Sequence, residues 1–175
     1  MEHLRFPIGR FNADRAPTPA KRAEWIHDIE GAPAALREAV EGLDEVQLET
    51  PYRPGGWTIR QVVHHVPDSH VNAYVRFRLA LTEEQPTIKP YLEARWADLV
   101  DARTAPIDSS LALLDALHAR WVSLLSALEP EDWTRSFRHP EGGLITLDVA
   151  LQIYAWHGRH HVAHVTALRR REGWD

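Results

Sequence analysis

The sequence predicts an all-α protein, a four-helix bundle whose connectors differ in length. Four long segments repeat apolar residues at helical spacing, and no stretch shows convincing strand alternation. Each segment is bounded by capping residues or by proline and glycine. The 175 residues carry no internal repeat or low-complexity tract, and they suffice to bury a core as one domain spanning residues 1–175. Amphipathic helices bury their stripes against one another, and four of them make a bundle.

Residues 1–19 hold Pro7, Pro17 and Pro19 with little periodicity, which reads as an extended N-terminal arm. The first long helix starts near Pro19 and runs to about Gly42, with Trp25, Ile29, Leu36, Val40 and Leu43 as its stripe. Gly31 and Pro33 are expected to break it or to cap a second piece. "TPYRPGG" at 50–56 is a turn. Thr58, with Gln61 three residues on, forms a capping box that opens the second helix, which runs to about Leu81. After a loop at 82–90, "YLEARWADLVD" reads as a short helix. Ile107-Asp108-Ser109 opens the third long helix, through Leu128, with Leu111, Leu114, Leu117, Trp121, Leu124 and Leu128 on its core face. Residues 129–143 connect onward and allow a short extended piece at Ser136–His139. Thr146 caps the last helix, Leu147 to about Arg171, and Gly173 stops it.

Composition excludes several classes of chemistry. There is no cysteine, so disulfides, thiolate metal ligands and a cysteine nucleophile are all absent. Any metal site must use His, Asp or Glu. The net charge of −5 supplies no basic excess for a nucleic acid. Arg169, Arg170 and Arg171 fit the negative end of the final helix dipole. No apolar stretch approaches the ~18 residues of a membrane span, and "MEHLRFPIGR" lacks the apolar core of a signal peptide. A cytoplasmic protein is expected, with no membrane partner.

The chemistry concentrates in "YAWHGRHHVAHV", residues 154–165, where four histidines form two i, i+4 pairs. At about 100° per residue, Leu147, Ala150, Tyr154, Val165 and Leu168 fall within about 40° of His161, and His157 lies about 40° to one side. His164 is about 60° round and His160 about 100°, at the edge of the face. The inward pair is therefore His157 and His161. A single buried histidine is ordinarily a hydrogen-bonded core residue. Two such rings one turn apart satisfy each other poorly, and a metal ion resolves this, since i, i+4 histidines can share one ion.

Two ligands rarely suffice. On the second helix the apolar face is centred on Val62, Val66, Ala73, Phe77 and Ala80. His65 lies on its flank with Asp68, Ser69, Asn72 and Arg76, and His64 points toward solvent. His65 is the candidate third ligand. The other histidines carry no such signal: His118 reads as a core-edge packer, His70 lies on the opposite flank, and His3, His27 and His139 are bland.

"GGWTIRQVVHHVPDSHVNAYVRFRLALTE" together with "LDVALQIYAWHGRHHVAHV" resembles the YfiT-like branch of the DinB superfamily, and the likeness extends to "PYRPGGWT", "IKPY" and "LALLDALHARW". That family's metal signature, a tryptophan, a histidine eight positions on and a distant H-x-x-x-H, maps onto Trp57, His65, His157 and His161. The resemblance implies a four-helix bundle with one divalent ion per chain, Zn2+ or Ni2+, on three histidines. It also implies a homodimer that acts as a metal-dependent hydrolase on a small molecule. Other branches are thiol S-transferases using bacillithiol, mycothiol or glutathione. One departure is Pro67 inside the ligand helix. It removes a donor and crowds the Val63 carbonyl, so a kink beside His65 is expected.

Three neutral histidines leave a coordination position open, whereas structural zinc sites usually take four protein ligands. An open ion can lower the pKa of its water to about 7, or bind and deprotonate an incoming thiol. A lapsed, purely binding protein is the third possibility. The glutamate of H-E-x-x-H is absent, since Gly158 follows His157. Asp68 and Asn72 could orient His65 or the water, and Arg76 could hold an anionic substrate group. Asp68 and Asn72 read equally well as simple exposed polar residues, and Arg76 reads first as one half of a surface ion pair. His160 and His164 are weaker candidates for proton carriers.

Overall fold

The computed structural model describes residues 2–174. Residues 1 and 175, the ends of the expected domain and, for residue 1, of the expected arm, lie outside it. Its elements are α1 (Glu2–Arg5), α2 (Pro19–Val40), α3 (Glu45–Leu48), α4 (Ile59–Thr82), α5 (Glu93–Ala97), α6 (Val100–Thr104), α7 (Ile107–Leu125), β1 (Ser136–His139), β2 (Gly143–Thr146) and α8 (Leu147–Glu172). The fold is the expected four-helix bundle, of α2, α4, α7 and α8. Among the described residues no helix is long and apolar enough to cross a membrane.

Each of α2 and α4 packs against both α7 and α8. Two apolar clusters fill the ends. One gathers Ile29, Ala73, Phe77, Trp121, Leu125, Leu147 and Leu151. The other gathers Leu36, Val40, Val62, Val66, Leu111, Leu114, Val165 and Leu168. The order in which each helix visits the two clusters gives its direction: α2 and α8 run parallel, and α4 and α7 run parallel in the opposite sense. Parallel neighbours cannot be joined by a tight turn. The α4–α7 connection returns along the bundle through α5 and α6, whereas the α7–α8 connection, a 3₁₀ turn (Asp132–Thr134) and the β1–β2 hairpin, stays at one end.

Local rules explain most boundaries. Thr58 and Gln61 form the expected capping box, with Gln61 N donating to Thr58 Oγ1 and Thr58 N to Gln61 Oε1. Gly173 ends α8 at φ 69°, the left-handed conformation glycine tolerates. Ser136–His139 is extended, as expected.

Other expectations are corrected. The arm is not wholly extended, because Glu2–Arg5 form a helical turn. Gly31 and Pro33 do not break α2, which runs unbroken and buries Pro33. Pro33 cannot donate to the Ile29 carbonyl, but His118 Nδ1 donates to it instead at 2.5 Å, so the lost helical bond is replaced across the bundle. Pro67 lies inside α4, which runs from Ile59 to Thr82. α7 stops at Leu125 rather than Leu128, and Leu125 rather than Leu124 is buried. The expected single short helix is two, α5 and α6, and β2 turns the extended piece into a hairpin. Its strands show no alternation because neither face is uniformly buried.

Candidate metal centre

Between the two apolar clusters lies a layer of histidines. His65 comes from α4, one face-turn beyond the capping box, and His157 and His161 come from one face of α8. Each of the three offers a ring nitrogen, and these nitrogens lie within 4.8 Å of one another. His65 Nε2 and His157 Nε2 face each other at 3.3 Å. His65 and His161 are buried, and His157, deep in the bundle, keeps a partly accessible edge.

This donor set fits a divalent ion. Two nitrogens each ~2.1 Å from a tetrahedral ion stand about 3.4 Å apart, close to the 3.3 Å found for His65 and His157. The donors are also available. Burial pushes the His65 ring down to about 4, aided by His164. Burial likewise holds His157 and His161 well below the ordinary imidazole value, so all three are neutral at pH 7. Among the described residues no fourth His, Asp or Glu joins the group. Trp57 packs its ring on His65, centroids 4.6 Å apart, and covers one side of that ring.

The flanking residues fall differently. Asn72 Nδ2 donates to the Asp68 carbonyl one turn back at 2.8 Å, and neither residue hydrogen-bonds to the three histidines. The Asp68 carboxyl is pushed up to about 6 by burial and by Asp101. Arg76 Nη1 donates to Tyr154 Oη at 3.1 Å, one turn of α8 from His157. Arg76 makes no ion pair among the described residues.

Several histidines sit where helical phase did not put them. His64 is not solvent-facing. It is 6% exposed, its Nδ1 2.7 Å from Ser110 Oγ and its Nε2 3.1 Å from the Ala105 carbonyl. The α6–α7 connection covers that side of α4, which a single-helix projection cannot foresee. His160 and His164 are buried as well, because the N-terminal arm lies over them. Phe6 packs on His160, and His164 Nε2 donates to the Arg5 carbonyl at 3.1 Å. His164 Nδ1 lies 3.3 Å from His161 Nδ1.

His70 and His118, read as bland, stand directly behind His157. His70 is fully buried, its Nε2 3.0 Å from His157 Nδ1 and its Nδ1 2.7 Å from His118 Nε2. One signal in the sequence bears on this: Pro33, which frees a carbonyl inside a helix and so calls for a donor from elsewhere.

Comparison with known proteins agrees with this geometry. The DinB superfamily model matches residues 28–165. A protein of Bacillus cereus (strain B4264), named as a candidate metal-dependent hydrolase, is 56% identical over 174 residues, 99% of this chain and 100% of its own length. Among solved structures, YfiT from Bacillus subtilis superposes with a TM-score of 0.97 at 49% identity, covering 99% of both chains. It is described as a candidate metal-dependent hydrolase with an unusual four-helix bundle topology. The four-helix bundle protein TT2238 shares the fold at a TM-score of 0.59 and 23% identity, over 83% of this chain and 98% of its own.

Proposed function

This chain belongs to the DinB superfamily, and from that premise we propose that it is a metal-dependent hydrolase acting on a small molecule. His65, His157 and His161 would hold one divalent ion, Zn2+ or Ni2+. The observation that carries the reading is the convergence of three neutral imidazoles without a fourth protein ligand. A closed structural site would carry four. The names of the B. cereus relative and of YfiT support the same class.

A divalent ion held by His65, His157 and His161 would supply Lewis-acid chemistry, activation of water and polarisation of a carbonyl. The chain's own residues then have distinct tasks. The three histidines bind and orient through ring nitrogens that need no deprotonation at pH 7. Arg76, which makes no ion pair among the described residues and donates to Tyr154 Oη, would receive an anionic group of the substrate. Asp68, with its raised carboxyl, would exchange protons near neutrality, with Asn72 shaping its backbone.

The test is a panel of activated esters, amides and electrophiles, each with and without bacillithiol, mycothiol or glutathione. It uses metal-loaded protein and His161→Ala as control. Expected is hydrolysis that needs no thiol and disappears in the control. Conjugation that requires an added thiol would overturn the hydrolase reading in favour of a thiol S-transferase, whose thiol must be a cosubstrate because the chain has no cysteine.

A further inference from the structure

Two lines of buried imidazoles run from backbone carbonyls to the ligands, and we propose that His70, His118 and His164 are positioning residues that fix which ring nitrogen His157 and His161 present to the ion. The proposal rests on the metal-centre reading above and assigns it three further residues.

The direction of each line follows from its end. A carbonyl oxygen only accepts, so the ring nitrogen facing it carries the proton. Ile29 O stands 2.5 Å from His118 Nδ1, which is therefore the N–H. A neutral imidazole has one N–H, so His118 Nε2 accepts, and its donor is His70 Nδ1 at 2.7 Å. The His70 and His118 rings are inclined by 6° with centroids 4.9 Å apart, the separation of two imidazoles meeting nitrogen to nitrogen. His70 Nε2 then accepts from His157 Nδ1 at 3.0 Å. This leaves His157 Nε2 bare, and it is the nitrogen that faces His65 Nε2.

The second line runs the same way. Arg5 O accepts a hydrogen bond from His164 Nε2 at 3.1 Å. His164 Nδ1 therefore accepts from His161 Nδ1 at 3.3 Å, and His161 is left with a bare Nε2. Among the described residues no carboxylate hydrogen-bonds to any of these five rings.

Both anchors are carbonyls released from helical bonding. Ile29 O is released because Pro33, four residues on, has no N–H. Arg5 O is released because α1 ends there. One anchor thus comes from α2 and the other from the N-terminal arm, and neither belongs to a helix that supplies a ligand. The two ligands of α8 arrive with Nδ1 protonated and Nε2 free before any metal binds. Partners of this kind orient ligand rings, and their loss typically costs about 10–100-fold in metal affinity.

The experiment reads tautomers in the metal-free protein by long-range 1H–15N correlation of its histidine rings. Expected are Nδ1–H forms for His70, His118, His157 and His161 and an Nε2–H form for His164. Zn2+ affinity is then measured by chelator competition in two variants. His118→Phe fills the space but offers neither donor nor acceptor, and its Kd should rise ~10–100-fold. His118→Gln, with an amide that can donate to Ile29 O and accept from His70, should recover most of that loss. An Nε2–H form for His157 or His161 would overturn the proposal, as would wild-type affinity in a folded His118→Phe. Should that variant fail to fold, the wild-type spectra decide. None of these readouts needs turnover: a protein that hydrolyses nothing leaves them standing, and one that binds no Zn2+ sinks the metal reading while the metal-free spectra still report the tautomers.

Discussion

His64 and His65 are neighbours in sequence and opposites in role. His65 turns into the histidine layer, while His64 turns outward and is buried by the α6–α7 connection, bonded to Ser110 and Ala105. Alanine at His65, His157 or His161 should therefore abolish stoichiometric metal, measured as bound ion per chain. His64→Ala should keep the metal and lose stability, by about 1–3 kcal/mol for the two polar partners it strands. Metal lost in His64→Ala and retained in His161→Ala would reverse the assignment. Helical phase found the three converging histidines because their orientation depends on one helix at a time. It missed His70, His118 and the burial of His64 because those depend on what the neighbouring helix brings.

The helices hold the layer in register through two local devices. One is the Thr58–Gln61 capping box that starts α4 seven residues before His65. Thr58→Ala should cost about 1 kcal/mol in chemical denaturation, since the N-cap satisfies an orphan backbone donor. The other is Gly158, which follows His157 where α2 and α8 approach closely. A Cβ there would stand 3.1 Å from Ala32 Cβ and 3.8 Å from His70 Cε1. Alanine in a helix normally gains about 1 kcal/mol over glycine. Here that gain is offset by overpacking of ~1–3 kcal/mol, so Gly158→Ala should unfold at lower denaturant than wild type. A clear rise in the midpoint would show that α2 can give way. The capping box was legible in the sequence because its residues are three apart. The role of Gly158 was not, because Ala32 lies on another helix.

At the scale of the molecule, a layer of neutral imidazoles sits between two apolar clusters, and it makes the metal-free protein sensitive to acid. Burial lowers the pKa of His64, His65, His70, His118, His157, His160, His161 and His164. A group whose folded pKa is depressed contributes stability that is present above its unfolded pKa, about 6.5, and is lost as pH falls toward the folded one. For His65 and His164 that lower value is about 4, and for His160 about 3. Asp68, raised to about 6, and Asp28, also raised by burial, work in the opposite direction and are two groups against eight. The melting temperature of the metal-free protein should fall steeply below pH 6.5, and a flat profile from pH 7 to 4.5 would contradict the burial of the layer. Metal that binds only the native state should raise the melting temperature by mass action. Chelator should lower it without unfolding the protein at room temperature, because the two apolar clusters remain; complete unfolding would make the metal structural.

The sequence by itself determined that there are four long helices, the caps of α4 and α8, and the inward direction of His65, His157 and His161. Periodicity, capping and turn chemistry act over a few residues, and each can be read along a single stretch of chain. The crossing of α4 and α8, the parallel pairing of α2 with α8 and of α4 with α7, and the cover of α6 and the N-terminal arm were decided only by tertiary packing. So were the His118–His70–His157 and His164–His161 contacts. Pro33 marks the boundary between the two: its missing donor is visible in the sequence, but which side chain supplies the substitute depends on α7 lying across α2 at that level.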